Sequence, residues 1–170
     1  AAISGNGGAT VEVSQPPLIE TVKKEEVIAR LVGLIEEAEF WHTSMQEPYA
    51  TIQVGDHFEN MRVQSDIFKR WLTHAYYVRY CGVPLSSAMN EVINFASSKA
   101  LFAGECRDAS LRVGGHNDHV YLDLGQPDWS AVKVTQDGWE LQDRPAFYFR
   151  RSPGMDALPM PAEGGDIETL

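Results

Sequence analysis

Four side chains within eight residues, His116, Asp118, His119 and Asp123, are the first place where chemistry could sit in this sequence. Two imidazoles and two carboxylates at that density could hold a divalent metal, and with it a nuclease or nucleotidyl-transfer step. The pattern around them argues otherwise. His116 and Asp118 fall in a Gly-Gly-His-Asn-Asp turn, a composition that turns adopt without any ligand. His119 and Asp123 share one side of a strand whose other side is Val120, Leu122 and Leu124.

The second group is basic. Lys69, Arg70, His74 and Tyr77 lie on a predicted helix, with Arg62 just before it and Arg79 near its end, and Arg150 and Arg151 follow far downstream. Cations interleaved with aromatic rings suit single-stranded nucleic acid, through phosphate pairing and base stacking. The plain alternative is a solvated helix face with tyrosines at its rim. Arg144 could extend the downstream edge, although Asp137, Glu140 and Asp143 lie close by. There is no GxSxG elbow, no HExxH helix, no GxxxxGK[ST] loop and no GxGxxG after a strand. No catalytic residue and no cofactor is therefore expected.

The charge balance sharpens the basic group. The net charge is −10 over 170 residues, which argues against a simple nucleic-acid-binding module. Yet residues 62–112 alone carry a surplus of +3, against −7 before them and −6 after. The two cysteines, Cys81 and Cys106, stand in no CxxC or Cys/His cluster, so the expectation is two buried thiols in a reducing cytoplasm. No apolar run approaches the roughly 18 residues of a membrane span. The first residues have neither the basic segment nor the apolar core of a secretory signal. The chain starts without Met, which points to a fragment or a processed chain.

The elements that must position these residues follow from periodicity. Residues 1–17 read as a disordered lead-in ending at Pro16-Pro17. Leu18, Val22, Ile28, Leu31, Val32 and Ile35 recur at helical spacing, predicting a helix from about Leu18 to Glu39. A short strand over 39–43 precedes a hairpin, 49–54 with 58–63, across Gly55-Asp56-His57. Ser65 or Asp66 caps a helix to about Tyr80, and a further helix runs from Ser86 or Ser87 to about Phe102. From Ser110 to Arg151 apolar and polar residues alternate, with turns at 114–118, 125–128 and Asp137-Gly138. Their short spacing predicts an antiparallel meander, with Leu111, Val113, Val120, Leu122, Leu124, Val132, Val134, Trp139 and Leu141 on its buried face. Phe147–Phe149 forms a last strand, and residues 152–170 form an extended linker or tail. The fold class is α+β: an antiparallel β-meander with an N-terminal helix and two central helices, one domain over 18–151.

Three stretches in their order resemble a known family. HVYLDLGQPDWSAVKVTQDGWEL, then PAFYFRRSPGMDALPMPAEGG, with EPYATIQVGDHFENMRVQSDIFKRWL upstream, resemble a region of phage, prophage and plasmid-borne replication proteins. In those proteins it lies directly before a P-loop ATPase domain of the primase-helicase type. The likeness spans about residues 40–165. It implies a non-catalytic accessory domain that helps DNA binding or assembly, with single-stranded DNA and an ATPase domain of the same polypeptide as partners. The ATPase motifs themselves are absent from these residues. A metal-dependent nuclease or nucleotidyl transferase, and a pure protein-interaction domain, are the alternatives.

Overall fold

A computed structural model describes residues 22–162 and Gly164. The predicted lead-in, and Leu18 of the predicted first helix, lie outside them. The first helix, α1, spans Lys24–Leu34. Val27 and Leu31 give it one buried stripe, and Glu25 and Glu26 sit in the first turn, where the helix dipole favours negative charge. It stops five residues short of Glu39. Ile35 is drawn into the core at 1% exposure, and the backbone turns there, so that Phe40 and Trp41 can enter a sheet.

That sheet contains β1 (Glu39–His42), β2 (Pro48–Val54), β3 (His57–Arg62) and β4 (Glu105–Cys106), in the order β3-β2-β1-β4. β1, β2 and β3 pair antiparallel, the hairpin turning at Gly55 (φ +63°), while β4 joins β1 in parallel. Register puts Phe40, Ala50 and Met61 in one cross-strand row, and these three belong to the main core. α2 (Asp66–Tyr80) and α3 (Ser86–Phe102) close that core with Phe68, Leu72, Val92, Ala96 and Ala100. α2 ends in a left-handed cap at Cys81 (φ +52°), one residue before Gly82.

The opposite face of the sheet carries Trp41, Tyr49, Thr51 and Asn60. Trp41 stacks on Tyr49 at 4.7 Å and meets Tyr148 at 5.0 Å. The Trp41 indole N–H donates to Thr51 Oγ1, the Thr51 hydroxyl donates to Asn60 Oδ1, and the Asn60 amide donates to the Phe149 carbonyl. This relay ties the first half of the chain to its last strand, β10 (Tyr148–Phe149). β10 pairs in parallel with β5 (Ala109–Ser110).

The predicted meander is present: β6 (Val113–His116), β7 (His119–Asp123), β8 (Ala131–Thr135) and β9 (Gly138–Gln142), antiparallel in sequence order. Its faces are reversed relative to the reading from alternation. Tyr121 and Ala131 form with Phe147 and Phe149 a second small core, and Asp123 on the same side is buried, whereas Leu111, Val113, Val120, Val134, Trp139 and Leu141 are exposed. Leu124 and Val132 are buried as expected. The reversal has a steric cause: Phe147 packs flat against the Gly114 position, and Tyr121 stacks on it at 6.2 Å, so the inner side is filled by aromatic rings. After β10 the chain does not leave the domain at once. Leu158 N–H donates to the Leu124 carbonyl and Arg112 donates to the Asp156 carbonyl, holding this segment along the end of β7.

Candidate nucleic-acid interface

The Ser65 hydroxyl accepts the Phe68 N–H and fixes where α2 begins. From that start, helical period turns Phe68, Leu72 and Tyr76 inward and leaves Ile67, Arg70, His74, Tyr77 and Val78 outside, while Arg79, on the inward line, is exposed because the helix ends there. Lys69 is half-buried beside them, its carbonyl accepting the Thr73 hydroxyl. Tyr77 is 59% exposed. Tyr80 is not part of this face, because it packs on Tyr76 at 5.0 Å with the Arg30 guanidinium over its ring. Among the described residues Lys69, Arg70, His74 and Arg79 make no ion pair. Arg79 occupies the last turn, where a cation is favoured.

The other three predicted arginines gather elsewhere and are occupied. A cleft of about 610 Å³ is lined by residues of β2, β3, the first turn of α2 and the Arg150–Pro153 segment, with Leu111 and Trp129. There Arg150 donates to Glu47 at 3.1 Å, and Arg62 approaches the same carboxylate at 3.5 Å. Tyr49 lies alongside, and burial, helped by the Glu47 charge, holds its phenol above the ordinary tyrosine range. Arg151 donates twice to Asp123, at 2.9 and 2.6 Å, and once to the Gln126 carbonyl, and it lies 4.1 Å over the Trp129 ring. Trp129 adopts a left-handed backbone (φ +60°) inside a loop braced by Asp128. Asp128 accepts the Ser130 N–H at 3.0 Å and the Ser130 hydroxyl at 2.8 Å, and these bonds lower its pKa. Arg144 is likewise engaged, 4.1 Å over Phe58.

The predicted basic group thus divides in two. Lys69, Arg70, His74 and Tyr77 share one side of α2, where Lys69 and Arg70 have no ion-pair partner among the described residues and the Tyr77 ring is open, and Arg79 is exposed at the helix end. Arg62, Arg150 and Arg151 neutralise Glu47 and Asp123 and tie the end of β10 to the domain. The two groups meet at Ser65, Asp66 and Ile67, which line the cleft one turn before Arg70. Glu47, Tyr49 and Trp129 were missed in the sequence. For Asp123 there was a signal: a carboxylate inside an apolar strand requires a buried partner.

The His/Asp group does not converge. His116 and His119 face each other across the β6–β7 hairpin, and His116 contacts the Asn117 amide at 3.0 Å. Asp118 sits in the turn at φ +62°, and Asp123, at the far end of β7, is held by Arg151. Among the described residues no three His, Cys, Asp or Glu side chains come together as a metal site. Cys81 and Cys106 are both free and exposed, against the expectation of buried thiols. The main core is filled by aliphatic and aromatic side chains and leaves both sulfurs at element ends.

No protein-family model, curated protein or solved structure matches the chain. No described helix is long and apolar enough to cross a membrane.

Proposed function

We propose that this chain is a non-catalytic accessory domain of a mobile-element, phage- or prophage-like DNA replication ATPase, acting in the cytoplasm, and that the outer face of α2 contacts single-stranded DNA. The observation that carries the reading is the contrast in pairing. In a chain of net charge −10, the α2 cations have no carboxylate partner among the described residues and lie beside an exposed tyrosine, while Arg62, Arg107, Arg150 and Arg151 are all ion-paired. Unpaired cations are available to phosphates without first breaking an internal bond. Tyr77 adds a ring on which a base can stack. The resemblance to the region preceding a P-loop ATPase domain supports the accessory role, with that domain as the partner in the same polypeptide.

The test is fluorescence anisotropy with a labelled single-stranded oligonucleotide at low and moderate salt. Binding that weakens as salt rises is expected. No binding, or binding indifferent to salt, would remove the DNA contact. A metal-dependent nuclease or nucleotidyl transferase would require His116, Asp118, His119 and Asp123 to act together, and Asp123 is engaged by Arg151. The protein-interaction reading has an observation of its own, the exposed Val113, Val120, Val134, Trp139 and Leu141 of the meander.

A further inference from the structure

The cleft of about 610 Å³ beside the first turn of α2 has no role in the phosphate contacts assigned to that helix. Its volume lies in the range of small-ligand sites, roughly 300–1,000 Å³. Tyr49, Met61, Ile67, Leu111, Trp129 and Pro153 give it apolar and aromatic walls. The Arg151 guanidinium, 4.1 Å over the Trp129 ring, holds the indole in the wall. The charges around the cleft cancel. Arg62 and Arg150 share Glu47, and Arg151 is held by Asp123. Two further carboxylates line the cleft: Glu59, 3.0 Å from His57 Nε2, and Asp66, exposed in the first turn of α2. Among the described residues the cleft therefore has no surplus cation. It does have spare donors. The Ser65 hydroxyl accepts the Phe68 N–H and keeps its own proton, and the Asn60 amide spends one N–H on the Phe149 carbonyl and keeps the other.

We propose that this cleft receives one unpaired base of the strand whose phosphates lie on α2, a role that rests on the α2 contact proposed above. A nucleobase is flat and uncharged and carries donors and acceptors on its edge. Apolar walls, an immobilised indole and spare donors complement such a group. A phosphate or carboxylate inside the cleft would instead meet Glu59 and Asp66 with no free cation to answer them, and like charges placed together are costly. The charge of the strand thus stays on α2 while its base turns into the cleft. The spacing permits this. Ser65, Asp66 and Ile67 line the cleft, and Arg70 follows within about one helical turn, a rise of roughly 5.4 Å. A nucleotide whose phosphate meets Arg70 therefore has its base at the cleft mouth. Tyr77 stands ten residues beyond Ile67, about 15 Å along the helix, and serves a different nucleotide.

Fluorescence anisotropy of the full chain with a thymidine oligonucleotide and with an abasic strand of the same length tests this. The parent should prefer the strand that carries bases. Trp129→Asn removes the indole, and Asn tolerates the left-handed backbone at that position (φ +60°). Leu111→Trp fills the cleft from another wall, and Leu111 is 51% exposed, so the larger side chain has room. Each variant should lose roughly tenfold of the preference for bases. Each should keep the parent's affinity for the abasic strand and its salt slope, because a base contact releases no counterions. An unchanged circular dichroism spectrum shows that a variant folds. Salt-dependent binding with equal affinity for the two strands, or with a preference that survives both variants, would overturn the base pocket alone. Absence of salt-dependent binding to either strand would remove the α2 contact, and the pocket with it.

Discussion

Arg151 places two nitrogens of its guanidinium on the Asp123 carboxylate, at 2.9 and 2.6 Å, and Asp123 is 1% exposed. Sequence separates the two by a whole hairpin and a loop. Their pairing explains why a carboxylate can occupy the inner side of β7, and it fixes where the chain leaves β10. Removing Arg151 strands a buried charge. Arg151→Ala is therefore expected to destabilise by about 3–5 kcal/mol. Replacing both residues by apolar ones of similar size should cost less than the single change. Urea denaturation of the parent and these two variants measures this, and a single variant no worse than the double would contradict it.

Gly114 sets the spacing of the second core. A Cβ built there would lie 2.2 Å from the Phe147 ring, closer than any real contact. Gly114→Ala should thus cost about 1–3 kcal/mol through overpacking. Gly114→Ala combined with Phe147→Leu should recover part of that loss, because the two substitutions compete for one space. Thermal unfolding of the single and double variants reads the coupling.

The Trp129 loop should be sensitive to acid. Asp128 has its pKa lowered, chiefly by the Ser130 N–H and then by the Ser130 hydroxyl. A depressed carboxylate contributes stability that is present above its unfolded value, about 3.9, and is lost as pH falls through the lower folded value. Trp129 fluorescence should therefore hold steady through neutral and mildly acid pH and change only below the ordinary carboxylate range. Ser130→Ala should move that change to higher pH. Trp129→Phe serves as the control among the four tryptophans.

Much of the fold could be read from local pattern. The β2–β3 hairpin, the Ser65 cap, both central helices and the order of the meander follow from turn chemistry and periodicity within short windows. The meander's orientation could not, since alternation gives two faces and does not say which one finds a partner. Phe147, Phe149 and Arg151, brought in by β10, decide that, and they are distant in sequence. The candidate site divides along the same line. Lys69, Arg70, His74, Tyr77 and Arg79 share one helix, so spacing alone placed them together. Whether Arg62, Arg150 and Arg151 were free depended on Glu47 and Asp123, whose positions only the tertiary pairing reveals.

Tyr77 offers a separate reading of the α2 face. Tyr77→Ala should weaken single-stranded DNA binding by an amount corresponding to about 1–3 kcal/mol while leaving the salt slope unchanged, because stacking releases no counterions. A change in the slope would mean that the ring acts by positioning its charged neighbours.

The claim that the free cations of α2 form the DNA contact is tested most directly by the salt slope of oligonucleotide binding in Lys69→Ala/Arg70→Ala/Arg79→Ala. Each phosphate contact contributes about −0.7 to that slope for single strands, so the triple variant should flatten it by roughly 2 and bind far more weakly. Arg62→Ala, whose partner is Glu47, should leave the slope near its original value. A triple variant that binds with the parent's affinity and slope would contradict the account.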